Sequence, residues 1–556
     1  MVFLLVMIGG MGVECYGQNI TWQWARDGIS SGNINSYGEG YYVTVDSMEN
    51  SYLTGFYVYT LAFDTFVLNS FPSVEAFLVK YNSTGNVLWA KSSMGPGDAY
   101  GMCIATDASN NVYLEGRYFS GAVSFDQVTL DSTGIYNIFL AKYDSSGNVI
   151  WVRTPDDSAY AYNYSVATDR FGNVYITGSF ESQTITFGSH TLINTGLLSL
   201  FVVKYDSSGN VIWAKSAGGT AENISSVSIA SDPSGNIYIT GAFSSSTMTI
   251  GAYTLTNNGT TNSFLTKYDS AGNVLWAKSA GGTHYDYGVA VSTNSSRYVY
   301  VTGDFMSPSI IFDSDTLINI GTYNFYIAKY DLFGNVLWAK SSQDSGACFV
   351  FNLATDNNGN PCISGGQQGN PNHYPINFNN LSLIIPATIL DPMFFVKFDS
   401  LGNALCGDVL PTGGDDNNGI AVGISNNVYL GGDFAMDTMI FGNDTLFRTG
   451  AETPFLAKFN LNCVEDVANP EIHNEGNISL YPNPTSGTFT LTYNSQLSLL
   501  NSQLIITDVL GRAVYHQAII NPNNTTINIS QLSNGVYFYQ LSNSKETLRG
   551  KFVKEN

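Results

Sequence analysis

Basic side chains are scarce: 22 Lys and Arg stand against 44 Asp and Glu, a formal net charge of −22. Thirteen of the 22 fall at two recurring positions, Lys80, Lys142, Lys204, Lys267, Lys329, Lys397 and Lys458, and Arg26, Lys91, Arg153, Lys215, Lys278 and Lys340. Cations spread so evenly leave no patch to neutralise phosphates, which argues against nucleic acid and anionic lipid as partners. Histidine numbers only five (His190, His284, His373, His473 and His516), with no H-E-x-x-H and no close His/Cys pair, so no zinc spacing is present. Six cysteines include no C-x-x-C. Outside Cys15 the count is odd, leaving at least one thiol free or paired between chains. Cys406 and Cys463 hold similar places after successive repeats and could pair if the geometry allows.

Long apolar runs are also missing. Met1–Gly17, "MVFLLVMIGGMGVECYG", is too short to span a bilayer. It reads as a secretory signal, with Cys15 and Gly17 at −3 and −1 of a cut before Gln18. It lacks the usual preceding Lys or Arg, which leaves a start further upstream open, and Cys15 lacks a lipoprotein context. No transmembrane segment is expected in the mature chain.

What is abundant is Gly (55), Tyr (35) and Phe (33), in a chain that is 44% apolar and only 12% charged. That composition favours strands and tight turns over helices. The ten residues KYDSSGNVIW occur at Lys142–Trp151 and again at Lys204–Trp213. The Lys of these stretches recurs at steps of 62, 62, 63, 62, 68 and 61. Each repeat has one grammar. An alternating strand such as 223–232 meets a turn, a second strand follows (236–243), then about twenty variable residues, a third strand (263–269), a turn, and a fourth (273–279). The turns read D-x-x-G-N: Asp caps through its side chain, Gly takes the positive φ, and Asn leads into the next strand.

Four antiparallel strands repeated seven times predict an all-β, seven-bladed β-propeller over 18–463. The seventh repeat has no fourth strand after it, but Ile20–Gly28 supplies a spare one with Trp24 in the repeated Trp position. The N-terminal strand is therefore expected to close the last blade. The repeated Trp, Tyr and Phe read as inter-blade packing. The repeated Lys either guards outer strands or pairs with nearby Asp. The stretches "GGTHYDYGVAVS", "GNVYITG" and "FLTKYDSAGNVLWAKSAGG" resemble SBBP-type β-propeller repeats of bacterial exported proteins, over roughly Ile20–Asn462. That resemblance implies a fold and no shared catalytic motif.

After Cys463 the pattern stops. Residues 464–477 are polar and read as a linker; 478–556 alternate in short strands and predict a small β-sandwich. This segment resembles the type A C-terminal sorting domain of the type IX secretion system. The matching positions are Tyr481, Pro482, Asn483, Pro484, Gly487, Asp508, Gly511, Arg512, Gly535, Val536, Tyr537 and the basic end at Lys551. The resemblance implies the secretion machinery as a partner, and a body attached to the cell surface or released.

Catalytic motifs are sparse. Gly28–Gly32 matches G-x-S-x-G but sits between strands, without a nucleophile elbow's helix. Gly95–Gly101 is followed by no helix and is no dinucleotide loop. Asp156–Asp157 and Asp415–Asp416 could serve an extracellular polysaccharide hydrolase or lyase, though adjacent loop carboxylates are usually just solvated. The D-x-x-G-N turns resemble fragments of calcium loops but lack the further acidic ligands and closing Glu; no other cofactor is implied.

Loops of varied length share one rim of such a fold, where function concentrates. Nine and seven residues before the Asp that ends each first strand (Asn294 in the fifth repeat) lie Tyr37/Glu39, Asp98/Tyr100, Tyr160/Tyr162, Asn223/Ser225, Tyr285/Tyr287 and Ala347/Phe349. Asp416/Asn418 fall nearest in the seventh repeat. Tyr beside Asp, Glu and Asn suits a sugar or a peptide; the same residues could instead pack the loop bases. The expectation is a non-enzymatic surface or secreted protein that binds an extracellular glycan or protein on this rim. A polysaccharide-degrading enzyme and a purely structural scaffold are the alternatives.

Overall fold

The computed structural model describes residues 20–30, 36–131, 136–156, 160–219, 224–293, 298–344, 346–368, 375–378, 381–385, 392–410, 419–461, 463, 478–481, 485–493, 502–508, 512–519, 525–542 and 547–555. Residues 1–17, read above as a secretory signal, and residues 464–477, read as a linker, lie outside them. The chain divides into two compact units, Met1–Cys463 and Val464–Asn556. Both are all-β, and no helix among the described residues is long and apolar enough to cross a membrane.

In the larger unit each repeat folds into an antiparallel sheet whose strands hydrogen-bond in sequence order. The second sheet is typical: Asp98–Thr106, Val112–Phe119, Asn137–Tyr143 and Val149–Arg153. The third comprises Ala161–Thr168, Val174–Phe180, Ser199–Tyr205 and Val211–Ala217. Its middle strands are buried on both faces, because each sheet packs against a sheet on either side. The seventh sheet holds Gly419–Val422, Asn427–Phe434 and Thr453–Leu461, and its fourth strand is Ile20–Asp27. Trp24 pairs with Lys458 in the register that sets Trp89 opposite Lys80.

Seven hydrophobic clusters hold the unit together. Each draws on two consecutive sheets, and one joins the seventh sheet to the first through Trp24, Tyr429 and Leu456 against Val43, Leu53 and Phe77. The turn chemistry is as the sequence predicts. Asp144 Oδ1 accepts from the backbone N–H groups of Ser146 and Asn148, Oδ2 accepts from Asn148 Nδ2, and Gly147 has φ of 85°. A Cβ on Gly147 would lie 2.9 Å from the Trp89 ring of the preceding sheet, so glycine is required there twice over.

Of the two roles expected of the repeated Lys, guarding outer strands is not seen, whereas pairing with a nearby Asp is, at Lys80, Lys142 and Lys397. The repeated Lys is buried and inward. Lys80 Nζ donates to Ser145 O of the next sheet's turn (3.1 Å), the carbonyl that also accepts from Trp89 Nε1. It lies 3.5 Å from Asp46 Oδ2 and 4.9 Å from the centre of the Tyr52 ring. Lys142, Lys204, Lys267 and Lys329 donate forward in the same way, and Lys458 donates to Ser83 O of the first sheet.

Two joints depart from the pattern, each with a replacement. The seventh sheet has no turn between its third and fourth strands, so Lys397 has no forward carbonyl and sits 2.8 Å from Asp356. At that joint Cys406, in the repeated Trp position, forms a disulfide with Cys463. Cys103, Cys348 and Cys362 are free and buried. Where the seventh repeat has Gly423 in place of the turn Asp, Glu49 of the first sheet inserts its carboxylate. It accepts from Ser425 N, Asn427 Nδ2 and Tyr429 OH, with Lys458 3.7 Å away. Burial pushes the Glu49 carboxyl up, but these donors outweigh it and hold it below its usual value.

The variable stretch between second and third strands is a second hairpin in six sheets, as in Thr184–Phe187 with His190–Ile193 and Thr247–Ile250 with Tyr253–Thr256. In the first sheet it continues the long strands Ser51–Phe63 and Phe66–Tyr81.

The smaller unit has a three-stranded sheet (Ile478–Tyr481, Thr488–Tyr493, Thr525–Asn528) and a four-stranded one (Ala513–Ile519, Ser502–Thr507, Gly535–Ser542, Thr547–Lys554). Phe489, Ile527, Leu504, Ile506, Tyr539 and Phe552 share their core.

Candidate ligand-binding face

Among the described residues tight turns join first to second strands in six sheets, and third to fourth strands in the first six, at one end of the sheets. Longer loops and hairpins gather at the other end, where the first strands begin. Five of those first strands carry a bulge, which adds one residue at Tyr41, Met102, Tyr164, Val227 and Phe351. A bulge bends its strand and re-aims the added side chain.

Three consecutive sheets bring their aromatics together at the loop end. Tyr37 meets Phe56 edge-on at 5.8 Å, Phe56 meets Tyr100 at 4.6 Å, and Tyr100 stacks on Phe119 at 5.7 Å. Phe119 meets Tyr136 at 5.3 Å, and Tyr136 meets Tyr162 at 5.6 Å and Tyr160 at 6.3 Å. All but Phe56 are half-buried. Four of the predicted residues therefore fall in one continuous run. Phe56, Phe119 and Tyr136, which link them, lie on second strands and in a loop, outside the −9/−7 positions.

Polar groups border the run. Tyr41 OH donates to Glu39 Oε2 (2.9 Å), Val74 N donates to Asp98 Oδ1 (2.9 Å), and Tyr162 OH donates to Glu181 Oε1 (3.2 Å). The Arg117 guanidinium lies over the Tyr100 ring, 5.0 Å from its centre. Burial and then the nearby carboxylates push the Tyr37 hydroxyl above its usual value. The Tyr100 hydroxyl rises for the same first reason.

A second, smaller group lies on the fifth and sixth sheets. Tyr285 and Tyr287 stack at 6.2 Å and are among the more exposed large side chains. Tyr323 meets Phe349 at 4.8 Å and bridges to Ala347. Beneath it, burial pushes the Asp304 carboxyl up to about 8, although Val350 N donates to it at 2.9 Å.

Several predicted positions are not reached. Asp157, Asp415, Asp416, Asn418 and Asn223 lie outside the described residues, and Ser225 is placed only as backbone in its strand. Asp156 is described, and its backbone N–H binds Thr186 O of a hairpin. Among the described residues no three His, Cys, Asp or Glu converge as metal ligands.

In the smaller unit Tyr481 ends its strand, while Pro482, Asn483, Pro484 and Gly511 lie outside the described residues. Gly487 N donates to Thr485 Oγ1. Arg512 donates from its backbone and Nε to Asp508. Gly535 begins a strand in which Tyr537 OH donates to Ser533 O and its ring stacks on Phe552. Lys551 pairs with Phe538 in the sheet.

Residues 479–555 match the family of secretion system C-terminal sorting domains. That tail marks the chain for export by the type IX secretion system, to the cell surface or the medium. The body is similar to an uncharacterized WD repeat-containing protein of Acanthamoeba polyphaga mimivirus, 27% identical over 377 residues, covering 56% of this chain and 27% of that protein. It is also similar to the regulatory protein FlaEY of Caulobacter vibrioides, 26% identical over 210 residues, 34% of this chain and 21% of that one. The chain thus spans about a quarter of the length of these curated relatives. Among solved structures, a protein of unknown function from Dyadobacter fermentans aligns at 8% identity and TM-score 0.35, over 78% of this chain and 98% of that one. PorZ of the Porphyromonas gingivalis type IX secretion system aligns at 10% identity and TM-score 0.26, over 93% and 81%.

Proposed function

We propose that residues 18–463 form a seven-bladed β-propeller of the SBBP-repeat type, and that its loop-rich face binds an extracellular glycan after export. Seven inter-sheet cores, the last joining the seventh sheet to the first, support the propeller. The observation that carries the binding reading is the run from Tyr37 to Tyr162. Apart from the buried Phe56 that links them, it is a set of half-exposed aromatic faces from three sheets, bordered by Glu39, Asp98, Glu181 and Arg117. Aromatic planes cover the apolar faces of sugar rings while flanking polar groups fix their hydroxyls. The sorting tail supplies the extracellular setting in which such ligands occur, and positions of the tail that match the family, Tyr481 to Lys551, would be read by the secretion machinery.

A glycan- and matrix-protein array probed with the full-length protein, with and without calcium, tests the reading. Binding to defined glycans, lost in a Tyr160→Ala/Tyr162→Ala variant of unchanged melting temperature, is the expected result. A blank array, or binding that both double variants (this one and Tyr285→Ala/Tyr287→Ala) leave intact, would overturn it.

A further inference from the structure

One cation in the aromatic run has no hydrogen-bond partner among the described residues. Arg26, Arg153, Arg448 and Arg512 each donate to a named oxygen of the protein. Among the described residues Arg117 makes no hydrogen bond and no ion pair, and its Nε is buried without a partner. Arg170 is also without an ion pair, but it is exposed on the turn rim, where water serves it. Arg117 is half-buried, so its five donors are only partly hydrated. The two carboxylates bordering the same ring are already engaged, Glu39 by the Tyr41 hydroxyl and Asp98 by the Val74 N–H. Neither comes within ion-pair distance of Arg117.

The position varies from sheet to sheet. Aligned on the Gly of the second strands, it holds Phe56, Arg117, Ser179, Ala242, Asp304, Gly366 and Asp433, and Arg117 is the cation among them. Stacking on Tyr100 holds the guanidinium plane in place, and a planar fork so held suits the two oxygens of a carboxylate or sulfate. Partial burial lowers the local dielectric and strengthens such a pair.

We propose that Arg117 is an oxyanion subsite, and that the polysaccharide bound on this face is acidic, presenting a sugar carboxylate or sulfate ester to the guanidinium. The inference rests on the glycan-binding reading above and adds the charge class of the ligand. Within it Tyr100 positions the guanidinium, and Tyr136 and Tyr162 carry the neighbouring sugar units.

The test is calorimetric titration of the full-length protein with tetragalacturonate, its neutral methyl ester, and a sulfated galactan tetrasaccharide. At least one acidic ligand should bind about tenfold or more tightly than the ester. Which acid binds better separates carboxylate from sulfate. Arg117→Gln should reduce acidic binding to the level of the ester while leaving the ester unchanged. Arg117→Lys keeps the charge without the fork and should fall between, which guards against misfolding of the first variant. Equal affinity for acidic and neutral ligands would overturn the Arg117 subsite and leave the glycan-binding reading standing. Binding of none of the three, with a blank glycan array, would overturn both.

Discussion

The two rims of the body obey different rules. On the turn rim polar groups answer one another, within a repeat and on to the next: Asp107 accepts from Ser109 N, Asn111 N, Asn111 Nδ2 and Tyr113 OH and holds Lys142 at 3.7 Å, and Lys142 donates to Ser207 O of the following sheet. On the loop rim residues differ from sheet to sheet, most rings stay half-exposed, and the buried Arg117 Nε has no partner among the described residues. Residues repeated in every sheet build the body. Those that break the repeat either repair a joint, as Glu49 and Cys463 do, or face outward with capacity to spare.

That comparison can be broken in graded steps. The largest effect is expected at the turn rim. Asp107→Ala removes both caps and leaves a buried ammonium unpaired, and should cost about 3–5 kcal/mol, read as a lowered urea midpoint. Next comes the joint between sixth and seventh sheets. Removing Cys406 and Cys463 together should cost about 2–4 kcal/mol. Reductant should lower the melting temperature of the wild type to that of this variant and leave the variant unchanged.

Glu115 tests the rule from the opposite side. It stands where other sheets have Thr54, Thr177, Thr240 and Thr302, is fully buried, and both its carboxylate oxygens lack partners. Burial pushes its carboxyl well above the usual range. Glu115→Thr should therefore stabilise, by about 1–3 kcal/mol. In the folded protein this carboxyl keeps its proton to higher pH than in the unfolded chain. Its contribution is thus fullest below the ordinary glutamate value and is lost as pH rises towards the folded-state value. Wild-type stability should fall across that window, and Glu115→Thr should flatten the slope in denaturation series at several pH values.

A smaller change is expected at the first-to-seventh joint. Glu49→Ala should cost about 1–2 kcal/mol, since the carboxylate is partly solvated. A Cβ at Gly423 would lie 2.6 Å from Glu49 Oε1, where a turn Asp would put its own carboxylate. Gly423→Asp should therefore recover stability in the Glu49→Ala background and reduce it in the wild type. The smallest stability effect belongs to the loop rim: Tyr162→Ala should move the urea midpoint by less than about 1 kcal/mol. A large loss there would mean that its ring is packing rather than binding surface.

Much of the body was legible before any coordinates. The D-x-x-G-N turns are local, with donor and acceptor two to four residues apart, so their geometry follows from the residues alone. The spare N-terminal strand could be placed because Trp24 carries the repeat's own spacing. The second hairpins were missed although their mark is present, in "TITFGSHTLI", "TMTIGAYTLT", "SIIFDSDTLI" and "TMIFGNDTLF". These copies vary at most positions and sit between stronger signals. The candidate site was half legible. Position counting reached Tyr37, Tyr100, Tyr160 and Tyr162, but Phe56, Phe119, Tyr136 and Arg117 join them from other strands.

The sequence by itself determined the repeat, the four main strands of each sheet, the turn chemistry and the secretory address, because each is written in residues close along the chain or in a tail with its own ordered motif. Only the tertiary structure decided where the repeated Lys points, what replaces the missing Asp of the seventh turn, and which aromatics share a face. Those contacts join residues tens to hundreds of positions apart: Lys80 meets a carbonyl in the following repeat, and Glu49 crosses from the first repeat to the last. No local spacing encodes such a meeting; packing of sheet against sheet does.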